Sequence, residues 1–236
     1  MTDNCKIPKH IAFILDGNRR WAKKHSLPVV MGHKKGAETL IEVAKGAAEL
    51  GLKYMTIYAF STENWNRNKE EVAGLMDLLR QYLDDGLAKV AENNVKIIFI
   101  GEKEMLAEDI RAKMHKIEYE SAKNNGLTLC VALSYGSRQE IIAATKKIAG
   151  LVKNGDISLK DIDTDLFSDM LYTSGLPDPD LLIRTSGEQR VSNYLLWQLA
   201  YTEFYFTDTL WPDFDLKELK EIIENFNSRE RRYGKN

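Results

Sequence analysis

Cysteine is nearly missing: Cys5 and Cys130 are the only two, and they lack metal-ligand spacing. That excludes a disulfide framework and a cysteine zinc site, and it fits a reducing, cytoplasmic compartment. A basic excess is missing too. With 33 Lys and Arg against 35 Asp and Glu, the net charge is -2, so no nucleic-acid partner is expected and any cationic site must be local. Long hydrophobic runs are also absent. The greasiest stretch, Tyr194 to Phe206, is interrupted by Gln198, Thr202 and Glu203, which makes it too short and polar to span a bilayer. The opening MTDNCKIPKH lacks the apolar core of a signal peptide, so a soluble or at most peripheral protein is expected. There is no Walker loop, no Gly-x-Gly-x-x-Gly, no Gly-x-Ser-x-Gly elbow and no His-Glu-x-x-His.

What is present is an alternation of short β-branched runs with longer segments of helical period, undivided by any Ser/Gly/Pro linker. Strands are expected at Ile11 to Leu15, Tyr54 to Ala59, Val95 to Ile100, Leu127 to Leu133, Leu181 to Ile183 and Glu203 to Phe206. Helices are expected near Ala37 to Leu50, Lys69 to Asn93, Glu104 to Asn124, Ser137 to Lys153 and Leu216 to Arg232. The expected fold is a single α/β domain over residues 1–236, with a mostly parallel central sheet flanked by helices. Gly51 and Gly126 read as helix C-caps, and Asn154-Gly155-Asp156 and Asp178-Pro-Asp180 as turns. Val72, Leu75, Met76, Leu79, Leu83, Leu87 and Val90 share one helix face, either as core packing or as one wall of an apolar tunnel.

Polar residues crowd the carboxyl ends of the expected strands, where open parallel sheets bind ligands. The first strand runs into Asp16-Gly-Asn-Arg-Arg-Trp21, the second into Ser61-Thr-Glu-Asn-Trp-Asn-Arg67, the fourth into Ser134-Tyr-Gly-Ser-Arg138, and the fifth into Arg184-Thr-Ser-Gly-Glu-Gln-Arg-Val-Ser-Asn193. Gly17 permits a tight turn, Asn18 is a candidate N-cap, and a helix start flanked by Arg19 and Arg20 makes an anion cradle. A carboxylate such as Asp16 beside bound phosphate is ordinarily a magnesium ligand, although a cap flanked by solvated arginines explains the same residues. Arg184 and Arg190 around a Ser-Gly turn suit a second phosphate, or a surface ion-pair loop. Two such pockets on one sheet edge favour two phosphate-bearing substrates. His33 is a further donor to the anion or a structural histidine. Asp84-Asp85-Gly86 lacks a second acidic group at helical spacing, so paired aspartates clamping metal are not indicated.

These motifs together resemble the cis-prenyltransferase family. The likeness covers His10 to Lys24, Gly32-His33, Tyr58 to Arg67, Tyr135-Gly136, Asp180 to Asn193, and Leu195 through Asp215. The resemblance implies an α/β fold with an apolar tunnel and a homodimer in the cytoplasm. It implies a Mg2+-dependent enzyme that adds isopentenyl diphosphate repeatedly, with cis geometry, to an allylic diphosphate such as farnesyl diphosphate, and a peripheral membrane contact for product release. By resemblance Asp16 and Asn64 are catalytic. Gly17, Asn18, Arg20 and His33 match the allylic diphosphate cradle, and Arg184, Arg190 and Ser192 the isopentenyl diphosphate pocket; Arg19 and Trp21, beside the cradle, are further candidate substrate-binding residues. Ser61, Asn64, Trp65 and Arg67 match the loop that closes over substrate, with Glu63 in the same segment a further candidate substrate-binding residue. Asp16 and Glu203 hold metal (Glu203 across the dimer), and Arg232-Tyr-Gly234 resembles a motif supplied by a partner subunit, although a cationic helix end with a glycine cap explains it equally well. Three positions depart from the family: Arg19 stands for glycine, Val29 for arginine, and Ser137 for the second glycine of Tyr-Gly-Gly-Arg. Rival readings are an aspartate-nucleophile phosphohydrolase, which needs a second aspartate where Asn18 stands, and a non-catalytic partner subunit, which has no need of Asp16, Asn64, Arg184 and Arg190.

Overall fold

A computed structural model describes residues 7–86 and 92–229. Its centre is one six-stranded sheet in the order β3-β4-β2-β1-β5-β6, with every neighbouring pair parallel. The strands are β1 His10–Ile14, β2 Tyr54–Ser61, β3 Lys96–Ile100, β4 Thr128–Tyr135, β5 Leu181–Arg184 and β6 Glu203–Phe206. Crossovers carry α1 Asn18–Lys24, α2 Val29–Glu49, α3 Lys69–Gln81, α4 Glu108–Ser121, α5 Ser137–Asn154 and α6 Thr164–Met170, and α7 Leu216–Ser228 follows the last strand. All-parallel strands are buried on both faces, which is why they read as continuous apolar runs.

Alternation along each strand sorts side chains into two cores. Ile11, Phe13, Ile57, Ile97, Val131 and Ile183 meet α2, α4 and α7 through Val43, Ile110, Met114, Leu219 and Ile222 on one face. Ala12, Ile14, Cys130, Ala132 and Leu182 face the other way, toward Tyr135, Tyr194 and Leu199. Burial pushes the Cys130 thiol up to about 12, so it is an inert core residue.

Several expected boundaries move. The second helix begins at Val29 rather than Ala37, because Pro28 starts it and small Gly32 and Gly36 let it run on close against α1. α1 and α6 are further short helices that weak periodicity concealed. Gly51, at φ +89, closes α2 as expected, and Gly155, at φ +79, caps α5. Gly126 is no left-handed cap; it lies close against Asn94, to whose carbonyl its N–H donates at 3.1 Å. Asp178-Pro-Asp180 is not a turn: the Asp180 carboxylate accepts the Lys9 and His10 N–H groups and braces the start of β1. α3 passes at Tyr82–Gly86 into one wider helical turn; Leu87 and Val90 lie outside the described residues, as do Cys5 and Arg232 to Gly234, and Glu92 and Asn93, expected to end that helix, form a turn.

Candidate active site

β1 delivers Asp16 to the carboxyl edge of the sheet, between β2 and β5, where the chain turns to opposite sides of the sheet. Gly17, at φ +113, makes the turn, and a Cβ there would lie 3.0 Å from Leu210 Cα. The Asp16 carbonyl accepts Trp211 N–H at 3.0 Å and Thr185 Oγ1–H at 2.6 Å, which fixes its main chain. Its Oδ2 accepts Arg184 Nη2–H at 2.8 Å, while Oδ1 stands 3.6 Å from Arg20. Burial alone would raise this carboxyl; the hydrogen bond and charge of Arg184, with Arg20 behind, outweigh it and hold it below the usual carboxylate range. Asp16 is therefore anionic at neutral pH.

Arg184 is 4% exposed and joins the separate loops. Its Nη1 donates to Ser192 Oγ at 2.9 Å and to the Arg190 carbonyl. Arg20 donates to the Ser186 carbonyl at 2.8 Å and to its hydroxyl, and lies 3.5 Å from Glu188, which also pairs with Arg190. Glu188 thus stands between two guanidinium groups, leaving them close enough to share a polyanion. A cavity of about 740 Å³ opens here. Asp16, Asn18, His33, Arg67, Arg184 and Arg190 stand at its polar end, and Leu40, Ile57, Leu75, Leu79 and Val131 line its apolar body. A second, polar cavity of about 410 Å³ adjoins it, walled by Arg19, Arg20, His33, Arg67, Glu188 and Arg190. Leu75, Met76 and Leu79 of the α3 stripe face the first cavity, while Leu83 is buried in the core.

The segment after β2 forms a tight turn, Thr62–Asn66, closed by reciprocal hydrogen bonds between Ser61 and Asn64. Asn64 and Glu63 border the large cavity, and Asn193 Nδ2–H ties Glu63 to the Arg190 loop at 2.9 Å. Arg67 and Arg19 converge on Glu71, at 3.0 and 3.8 Å. His33 Nε2, Asn18 Oδ1 and Arg184 Nε are buried without a hydrogen-bond partner among the described residues, a pattern expected where a ligand completes the network.

His33 and His10 are each lowered to about 4, both first by burial; Arg67 and Arg19 add to the effect at His33, and the Pro177 carbonyl opposes it at His10. Between that value and 6.5 the unfolded chain binds protons that the folded protein refuses. Stability should be complete above about pH 6.5 and fall toward pH 4 by up to roughly 1 kcal/mol per pH unit for each histidine. Asp16, with its lowered carboxyl, adds a loss at still lower pH. Denaturant midpoints between about pH 7 and 5 test this; a flat profile, or an unchanged slope in His33→Asn, contradicts it.

The structure gathers Asp16, Gly17, Asn18, Arg19, Arg20, His33, Ser61, Glu63, Asn64, Arg67, Arg184, Arg190 and Ser192 around the two cavities. Trp21 and Trp65 lie on neither wall: their indole N–H groups go to Asp213 Oδ1 at 2.6 Å and Ser134 Oγ at 2.9 Å, as half-buried tryptophans require. Glu203 starts β6, in register with Leu181 and Ile11, which places it roughly 16 Å of strand rise from Asp16 within one chain. It pairs instead with Arg229 at 3.0 Å. Asn18 is not the N-cap; Gly17 is, and Asn18 is the first helical residue. Ser137 also begins a helix and costs no backbone strain, its Oγ accepting Leu196 N–H at 2.9 Å. Sequence reasoning gave no individual role to Thr185 or Asn193 in the run after β5, nor to Trp211, whose indole N–H donates to the Gly36 carbonyl at 2.7 Å. It overlooked Glu71 as well, although the four-residue spacing from Arg67 was a usable signal.

Among the described residues no three His, Cys, Asp or Glu converge on a metal position. Asp16 does fit one magnesium ion: it is an anionic oxygen ligand with its Oδ1 outside the Arg184 contact, beside a polycationic pocket. Magnesium commonly takes one or two carboxylates and completes its shell with phosphate oxygens and water.

A prenyltransferase family model described as undecaprenyl diphosphate synthase matches residues 14–234. The chain is 48% identical over 229 residues to isoprenyl transferase of Porphyromonas gingivalis, covering 97% of this chain and 90% of that protein. It is also 48% identical over 229 residues to isoprenyl transferase of Bacillus subtilis, covering 97% and 88%. A crystal structure of lavandulyl diphosphate synthase from Lavandula x intermedia, in complex with dimethylallyl diphosphate, superposes with a TM-score of 0.94 at 38% identity, covering 97% of this chain and 98% of that one.

Proposed function

The chain belongs to the undecaprenyl diphosphate synthase family of prenyl transferases, and from that premise we propose that it is a magnesium-dependent cis-prenyltransferase. Its substrates in this reading are isopentenyl diphosphate and an allylic primer such as farnesyl diphosphate. Its product is a long polyprenyl diphosphate, undecaprenyl diphosphate serving as a lipid carrier for cell-wall polysaccharide. The observation that carries the reading is one cavity with an arginine-rich, carboxylate-bearing mouth and an apolar body. A diphosphate head on an isoprenoid tail has that polarity.

In this reading the primer diphosphate sits on the α1 cradle of Gly17, Asn18, Arg19, Arg20 and His33, with Asp16 beside it. Magnesium held by Asp16 would supply positive charge to the departing diphosphate. Glu203, remote from Asp16 in its own chain, would serve a partner subunit's site in a homodimer. The isopentenyl diphosphate is held by Arg184, Arg190 and Ser192, which places its double bond toward the allylic carbon and Asn64 near the reacting centre. The allylic carbon–oxygen bond breaks, the isopentenyl double bond supplies the electrons of the new carbon–carbon bond, and a proton then leaves the isopentenyl unit. Apolar walls keep water from the cationic centre, and orientation of two bound reactants supplies much of the acceleration. The lengthened tail slides past Leu75 and Leu79, and the cycle repeats.

Incubation with farnesyl diphosphate, labelled isopentenyl diphosphate and magnesium should give a ladder of extracted products ending in long polyprenols. Absence of incorporation with any short allylic primer by the folded protein would sink the reading in favour of a non-catalytic partner subunit. A single short product would restrict it to one condensation. Arg190→Ala should raise the KM for isopentenyl diphosphate by at least about tenfold, the loss of one charge-assisted contact, with a smaller effect on the primer. Equal changes in both KM values would remove Arg190 from that pocket.

A further inference from the structure

The hairpin of α1 and α2 carries a feature that the active site does not use. Residues 17–37 contain six Lys and Arg and no Asp or Glu, in a chain whose net charge is -2, and four of the six, Lys23, Lys24, Lys34 and Lys35, line neither cavity. Leu27, Val29, Val30 and Met31 at its tip are 41, 37, 43 and 40% exposed. Among the described residues they are the only large exposed hydrophobics that follow one another along the chain. Folding does not require this: Pro28 and Ser26, the latter at φ +56, already form the turn, and Leu27 N–H closes α1 on the Ala22 carbonyl at 2.9 Å.

Cations flank the apolar tip on both sides along the chain. Lys35 lies 3.9 Å from Glu38 and Arg19 3.8 Å from Glu71, whereas Lys23, Lys24 and Lys34 are exposed and unpaired among the described residues. Asp213, which reaches the hairpin from the far end of the chain, is engaged by the Trp21 indole N–H. The base of the same hairpin, Asn18, Arg19, Arg20 and His33, walls the polar cavity. α1 therefore separates tip from cavity by roughly 10 Å.

We propose that this tip is a peripheral docking surface for an anionic lipid bilayer. Leu27, Val29, Val30 and Met31 enter the interfacial zone, and Lys23, Lys24 and Lys34 meet the phosphate headgroups. Charge complementarity chooses the occupant: exposed aliphatic side chains flanked along the chain by unpaired lysines match an anionic membrane surface. Four side chains without an aromatic anchor are too small a patch for a stable protein interface, which buries roughly 800 Å² per partner. The docking gains its purpose from the reading that the product is a prenyl lipid, since it brings the site within about one short helix of the bilayer. The binding test needs no substrate, so it fails or succeeds independently of that reading.

Co-sedimentation of the purified protein with phosphatidylcholine vesicles, with and without about a third phosphatidylglycerol, tests it. Binding should require the anionic lipid and weaken with added salt. Lys23→Gln with Lys24→Gln should reduce partitioning by roughly tenfold or more, and Val30→Glu with Met31→Glu should reduce it comparably, both pairs retaining turnover of soluble substrates. Equal binding to neutral vesicles, or binding unaffected by both pairs, overturns the proposal. A change of oligomeric state in the Val30→Glu, Met31→Glu protein would also overturn it, because the tip would then be an interface between copies of the chain.

Discussion

Asp16→Ala should lower the condensation rate by roughly three orders of magnitude while the protein stays folded. The carboxylate stands at the cavity mouth next to the α1 cradle with Oδ1 outside the Arg184 contact, whereas Glu188 is engaged by Arg20 and Arg190, and neither Arg184 nor Arg20 can replace an oxygen donor to magnesium. Its main-chain contacts with Trp211 and Thr185 survive the substitution, so the turn persists. Arg184 keeps Ser192 Oγ and the Arg190 carbonyl as acceptors but loses its carboxylate contact with Asp16, so some destabilisation accompanies the change. Single-turnover rates with saturating substrates, read beside thermal melting, separate the two effects. A variant that melts normally and still condenses at more than about a tenth of the parent rate would remove Asp16 from the chemistry.

Gly32→Ala should damage the site from outside it. A Cβ on Gly32 would lie 2.1 Å from the Asn18 carbonyl oxygen and 2.9 Å from its carbon, both main-chain atoms with no rotamer to relieve the clash. α1 must then retreat from α2 and carry Asn18, Arg19 and Arg20 with it. Overpacking of this kind costs about 1–3 kcal/mol, and a displacement near 1 Å of a positioning group costs about a hundredfold in rate. The expected result is a melting temperature several degrees lower and kcat/KM for the allylic primer down by about two orders of magnitude. Gly74→Ala is the control: it is also helical but has nothing within 4 Å of a Cβ, so it should gain up to about 1 kcal/mol with activity unchanged. Parent-like kinetics in Gly32→Ala would mean that the α1–α2 contact does not set the cradle.

Read alone, the sequence determined the class of fold and the place of the site. Apolar β-branched runs alternating with helical segments allow little but a parallel sheet with crossovers, and turn-forming, charged residues gathered after strands one, two and five mark one edge of it. Those signals are local, carried by neighbouring residues, and they survive without knowledge of what lies opposite. The contacts that make the site specific are not local. Asp16 and Arg184 stand 168 residues apart and meet because β1 and β5 are neighbours in a sheet order that no periodicity encodes. The same order sets Glu203 at the far end of its strand from Asp16, and tertiary packing turned Trp21 toward Asp213 and Trp65 toward Ser134. Side-chain type and spacing are properties of a segment. Which segments touch, and at what register, depends on the packing free energy of the whole core, and only the assembled structure decides it.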